Sequence, residues 1–284
     1  MNELESIPEI LADVTDINAF MAIDENTLYV IDSKKIFSLN LVTGKRIFSH
    51  YEFKKNSLSR KIITNSRYVY IKEFCTVCEY IKPSLEKTRE WIIGENLSSD
   101  ITGICCDEEK VYLGIRNGGL TVLDIDSGYI AYYNICSTSM WDITEEDNYL
   151  YAGSVDTHLL KIQKNPISIV NKIKAHKKNC KDVLIYKDSI YTASSDMSIK
   201  RFEKSNLNLI TEKRKAFDKM FAIIGICNET LVCSSINCKS TKFFNFQNLN
   251  LIKSIPIFSR NMCIYENKIL FNDRYHIYSL SVCQ

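Results

Sequence analysis

Apolar residues along this chain fall in short runs separated by polar turns, and no segment keeps the 3.6-residue spacing of an amphipathic helix. The runs themselves repeat. A strand-like core recurs as Leu28-Tyr29-Val30, Val69-Tyr70-Ile71, Val111-Tyr112-Leu113, Leu150-Tyr151-Ala152, Ile190-Tyr191-Thr192, Leu231-Val232-Cys233 and Ile269-Leu270-Phe271. Counted on the first residue, the steps are 41, 42, 39, 40, 41 and 38 residues. A period in this range is the mark of a repeat architecture, and it has to be read before any single motif.

Each copy has the same internal order. A first apolar strand such as Ile101–Cys106 is followed by a polar turn, Asp107-Glu108-Glu109-Lys110, and then by the core strand. A tight turn leads to a third, alternating strand such as Leu120–Ile125. A turn such as Asp126-Ser127-Gly128 leads to a fourth, here Tyr129–Cys136. Short strands bounded by Asn, Asp, Ser and Gly turns read as antiparallel sheet. Four strands per period, seven times over, predict an all-β, seven-bladed β-propeller of four-stranded antiparallel blades. The expected blades are 15–53, 58–95, 100–136, 140–175, 180–215, 221–257 and 260–284, one domain over residues 1–284. The last copy lacks a fourth strand, so Leu4–Leu11 from the N-terminus is expected to supply it and close the ring, with Pro8 tolerated on an outermost strand.

The stretch Ile190–Phe202, IYTASSDMSIKRF, with Ala175-His176 upstream, resembles the WD-repeat family. That family places a Gly-His before the first strand, a Ser or Thr in the second, an Asp in the tight turn and a Trp in the third. Ala175-His176, Thr192 (or Ser194), Asp196 and Phe202 hold those places here. The resemblance implies a structural network in which His176 bridges Thr192 and Asp196 under the cover of Phe202. Blade 4 keeps the turn Asp156, and blade 3 keeps Leu123-Asp124 followed by a Gly turn, while blades 2, 6 and 7 hold little of the motif. The resemblance also implies a platform for binding other molecules rather than a particular activity.

Composition narrows this further. Hydrophobic residues are 45% and charged residues 25%, enough to bury a sizeable core. The net charge of +2 gives no global pull toward nucleic acid or membrane. No apolar run reaches the ~18 residues of a membrane helix, and the acidic start MNELESIPEILADV is not a secretory signal. The odd count of 11 cysteines, most lying in apolar runs, reads as reduced thiols in the cytosol or nucleus.

Candidate chemistry is sparse. Cys75-Thr76-Val77-Cys78 has CxxC spacing, yet no second pair exists to complete a zinc site, and the structural reading is taken. His50, His158, His176 and His276 are not at metal or hydrolase spacing, and no GxSxG, HExxH or phosphate-cradling Gly-rich loop is present. No cofactor and no enzymatic activity are therefore expected.

The resemblance points instead to the channel mouth. Carrying the blade 5 frame across the period places Asn18, Arg60, Thr102, Trp141, Lys181, Ala222 and Arg260 there, with Arg116, Val155, Ser195 and Arg274 beside the turns. Five of these are basic and one is a tryptophan, the composition of an anchor for acidic or phosphorylated peptides. The expected function is a monomeric, non-catalytic scaffold that holds partner proteins through Arg60, Trp141, Lys181, Arg260, Arg116 and Arg274, away from membranes. An RNA-associated propeller using the same cations, with Trp141 stacking a base, is the alternative. A quinoprotein-type propeller is a third reading, since LYVIDSKKIFSLNLVTGKRIF loosely resembles that repeat; against it, such blades lean on repeated fourth-strand tryptophans and only Trp91 qualifies.

Overall fold

The computed structural model describes residues 8–14, 20–32, 35–50, 60–94, 100–217, 223–235, 240–257, 261–272 and 275–282; of His50, Arg60, Ile223 and Ser235 only the strand is described. Within them every regular element is a strand, and the strands form seven four-stranded antiparallel sheets. The first strands of successive sheets touch one another all the way round, the first against the seventh included. The sheets are thus blades around an axis lined by their first strands.

The core strand of each period is the second in its blade, and its burial follows from its place. Alternate side chains of a strand leave opposite faces, and here each face meets a neighbouring blade. In blade 4, Leu150 and Ala152 join the apolar cluster shared with blade 3, while Tyr151 joins the one shared with blade 5. Leu150, Tyr151 and Ala152 are at most 2% exposed. Burying one such aliphatic side chain is worth ~1.5–3 kcal/mol, which is why the apolar run is continuous and not alternating. The described residues form seven such clusters, each between two adjacent blades. The fourth strands show the opposite pattern. Ile167–Lys174 alternates between half-buried and exposed positions, as an edge facing solvent requires.

The seventh sheet is closed by the N-terminal segment, which pairs antiparallel with His276–Ser281. The closing strand is Glu9–Asp13, further along than the expected Leu4–Leu11. Pro8 stands just before it, where a missing N–H breaks no ladder bond. Ala12, 2% exposed, is the side chain that enters the core, and Ile10 on the other side of a register shift stays outside. Val14 N–H donates to the Tyr275 carbonyl at 2.7 Å, and the Arg46 guanidinium of blade 1 donates to the Leu11 carbonyl at 2.9 Å. The segment is therefore held by the blades on both sides.

Candidate functional site at the mouth of the channel

The first strands of blades 3, 4 and 5 each contain one register shift at their start. Ile101 pairs with Ile115 and Gly103 with Gly114, so Thr102 is the extra residue. Trp141 and Lys181 are extra in the same way. A bulge re-aims a side chain out of the regular pleat, and here it does so at the start of the innermost strand. Blade 2 has no such shift: Arg60 pairs directly with Glu73 and Lys61 with Lys72. Arg60 thus holds the register place of Ile101, Met140 and Cys180, one short of the place of Trp141 and Lys181. The period carried the numbering across correctly but could not carry the bulge.

Trp141 and Lys181, from neighbouring blades, come together. The Lys181 ammonium lies 3.1 Å from the centre of the Trp141 ring, a cation–π contact. Burial pulls the Lys181 amine down to about 8. The indole Nε1 of Trp141 is buried without a hydrogen-bond partner among the described residues. Arg116 is engaged elsewhere, hydrogen-bonded to the buried carboxylate of Asp100. Arg260 and Arg274 lie outside the described residues, as do Asn18 and Ala222, and Arg60 is described only as part of its strand. Of the six mouth residues singled out from sequence, two meet and one is drawn aside.

Below the mouth lies a charged layer that the residue types alone did not reveal. Lys61 Nζ donates to Asp142 Oδ1 at 2.6 Å. Asp142 Oδ2 accepts the Val183 N–H of blade 5 at 3.1 Å, and Asp182 Oδ2 accepts the Ile224 N–H of blade 6 at 2.7 Å. The two carboxyl groups also hydrogen-bond to each other. Burial and the neighbouring Asp142 charge push the Asp182 carboxyl far above the usual range, so it keeps its proton. Burial acts on Asp142 too, but Lys61 and the hydrogen bonds from Asp182 and Val183 outweigh it and hold that carboxylate below the usual range. A shared-proton carboxyl pair can serve acid–base chemistry, yet each of these groups also carries a backbone N–H of the next blade.

The same stitching runs round this side of the ring. Thr102 Oγ1 donates to the Met140 carbonyl at 2.6 Å, linking blade 3 to blade 4. Lys72, 2% exposed, donates to the Ile101 carbonyl, linking blade 2 to blade 3. Burial, with Lys61 and Arg116 nearby, pulls the Lys72 amine down to about 7 against the opposing pull of Asp100. The sequence signal was available in part. Asp142 and Asp182 both stand one residue before the central apolar residue of their first strands, a coincidence only the period makes visible.

The blade 5 residues take these positions. His176 is buried, its Nε2 2.7 Å from Thr192 Oγ1 and its Nδ1 2.9 Å from Ser198 Oγ. Asp196 Oδ2 lies 3.3 Å from the same Nδ1 and accepts the Lys177 N–H at 2.8 Å. Ser198, not singled out from the sequence, links the two by donating to Asp196 Oδ1 at 2.5 Å. Phe202 sits further along the third strand, opposite Ile190, in the apolar cluster between blades 4 and 5. Cys75 and Cys78 are buried, one in a turn and one in the third strand of blade 2. Among the described residues no three metal-ligating side chains converge.

No family model matches this chain, and no curated protein matches it. The fold has many solved counterparts. The WD40 repeats of RRP9 superpose with a TM-score of 0.78 at 9% identity, covering 98% of this chain and 98% of that one. U3-55K gives 0.77 at 9% identity, covering 97% and 98%. A chain of the mitotic checkpoint complex gives 0.80 at 11% identity, covering 100% and 97%. The architecture is a seven-bladed β-propeller, the fold shared with these solved structures, one of them described as WD40 repeats. At these identities the likeness speaks for the fold alone.

Proposed function

We propose that the chain is a non-catalytic scaffold that holds acidic or phosphorylated segments of partner proteins over the channel mouth, in the cytosol or nucleus. The observation that carries this reading is the Trp141–Lys181 pair, an aromatic plate and an ammonium group set side by side on two consecutive bulges. An aromatic anchor beside a half-desolvated cation suits a carboxylate or phosphate, where a charge-assisted hydrogen bond is worth ~1.5–3 kcal/mol. The two similar proteins described as WD40 repeats and as part of a checkpoint complex are consistent with a binding platform. The buried carboxyl pair supports the non-catalytic part, because its oxygens already hold neighbouring strands together.

The test is affinity capture from cell extract with and without nuclease, comparing the native protein with Trp141→Ala combined with Lys181→Glu. Loss of captured proteins in the variant, insensitive to nuclease, is expected. Unchanged capture overturns the reading, and capture that vanishes with nuclease and shows a steep log–log salt slope replaces the peptide with RNA. The pair Arg60→Glu and Arg260→Glu is expected to weaken capture as well, less than the Trp141 and Lys181 changes.

A further inference from the structure

At the opposite end of the ring from the mouth, a cavity of about 420 Å³ opens between blades 4 and 5. Its rim carries Glu146 and Asp147 from blade 4 and Asp188 and Glu203 from blade 5. Against these four carboxylates stand two ammonium groups. Lys204 pairs with Glu146 at 2.5 Å, and Lys161 turns inward, donating to the carbonyls of Lys204 and Ser205 at 3.1 Å each. The cavity is left with a surplus of negative charge.

Its floor holds an unused polar group. Tyr151 lines the cavity and is 2% exposed, yet its hydroxyl makes no hydrogen bond with any described residue. Its counterparts in the flanking blades are both bonded. Tyr112 donates to Asp107 Oδ2 at 2.9 Å, and Tyr191 donates to the Phe246 carbonyl at 2.8 Å. The cleft between blades 3 and 4 is of similar size, about 400 Å³, but Lys164 bridges Asp107 and Glu145 there at 2.9 and 2.8 Å. One cleft is neutralised from within. The other keeps acid at its rim and an unbonded hydroxyl at its base.

We propose that the cleft between blades 4 and 5 is a docking site for an arginine side chain carried by a partner protein. A guanidinium group presents five N–H donors in a plane. It can donate to the rim carboxylates Asp147 and Asp188 while an inner N–H reaches the Tyr151 hydroxyl; the Tyr149 ring of the same cavity is already covered by the Lys161 ammonium, 4.3 Å from its centre. An ammonium group has three donors at one point and would meet fewer of these acceptors. An acidic segment would meet four carboxylates. The site is separate from the mouth, so the two readings stand or fall independently.

The probe is a short, otherwise uncharged peptide with one arginine, titrated calorimetrically into the full chain. The matching citrulline peptide, with the same shape and no charge, serves as the control. Saturable binding of the arginine peptide alone is expected, unchanged in the Trp141→Ala, Lys181→Glu protein. Tyr151→Phe removes only the hydroxyl and is expected to weaken binding about tenfold, the loss of one charge-assisted hydrogen bond. Asp147→Asn with Asp188→Asn, both exposed turn positions, is expected to abolish it. Equal binding of the citrulline peptide, binding of an acidic peptide that these variants diminish, or arginine binding that survives the double substitution would each overturn the proposal. A melting transition like that of the native protein establishes that each variant is folded.

Discussion

Blades 4 and 5 carry the same turn, Ser-x-Asp between the second and third strands, and secure it by different means. In blade 5 the turn Asp196 is tied to a buried histidine that also holds Thr192 and Ser198. In blade 4 the register places of those residues hold Cys136, Ala152 and His158. Cys136 Sγ turns to the Gly118 and Thr138 carbonyls, and Ala152 has nothing to offer. Asp156 is met instead by His158 Nδ1 at 3.1 Å and by Lys172 at 3.6 Å, both with partly exposed side chains. The histidine has crossed from one side of the aspartate to the other and from the interior toward solvent. Hydrogen bonds of similar count need not contribute alike, because a partly exposed pair is screened by nearby water while a fully buried set has no alternative partner.

The widest gap is expected on deleting each histidine. His176→Ala leaves Thr192 and Ser198 buried without their partner and is expected to cost about 2–4 kcal/mol in denaturant unfolding. His158→Ala is expected to cost under about 1 kcal/mol. Equal losses would erase the distinction between the two blades. Acid sharpens it next. Burial raises the Asp196 carboxyl, but hydrogen bonds from His176, Ser198 and the Lys177 N–H outweigh this and hold it far below its usual range. A carboxylate depressed on folding contributes stability above its unfolded pKa, about 3.9. That contribution is lost as pH falls toward the folded value. Stability measured from pH 5 down to pH 2 is therefore expected to fall less steeply in Asp196→Asn than in the native protein. Asp156, lowered more modestly by Ser154 and His158 against burial, should give a smaller flattening in Asp156→Asn. The smallest effect concerns the backbone. The residue after each aspartate is left-handed, Met197 at φ 69° and the β-branched Thr157 at φ 80°. Thr157→Gly is expected to stabilise the protein by about 0.5–1 kcal/mol, and Met197→Gly by less.

The architecture was legible because it is periodic. Seven apolar cores at near-constant steps determine the number of blades without any residue being placed in detail, and a missing fourth strand points to the N-terminus. The closing strand starts later than expected, since Leu4–Leu11 and Glu9–Asp13 are both apolar-rich, and it is Ala12 and Val14 that fill the gap beside blade 1, while residues 4–7 lie outside the described residues. The mouth was harder to read. A bulge adds a residue to one strand without altering the length of the repeat, so Trp141 and Lys181 fall on bulges while Arg60 holds a regular pairing position one register place away. Pairings across blades were out of reach. Nothing local says that Lys61 reaches Asp142, or that Asp142 and Asp182 meet, because these contacts join different repeats.

The strand Glu9–Asp13 gives the chain an unusual clock. Glu9 is made before any of the seven blades, and its partner Ser279 follows about 270 residues later. At roughly 5–20 residues per second of synthesis, the first segment waits about a quarter of a minute to nearly a minute for its place in the seventh sheet. Throughout that interval blades 1 to 6 can form in order while Ala12 and Val14 remain without the pocket they later share with Leu270 and Ile277. This segment is therefore open to wrong pairing until the hairpin of the seventh blade is made, which ends that exposure.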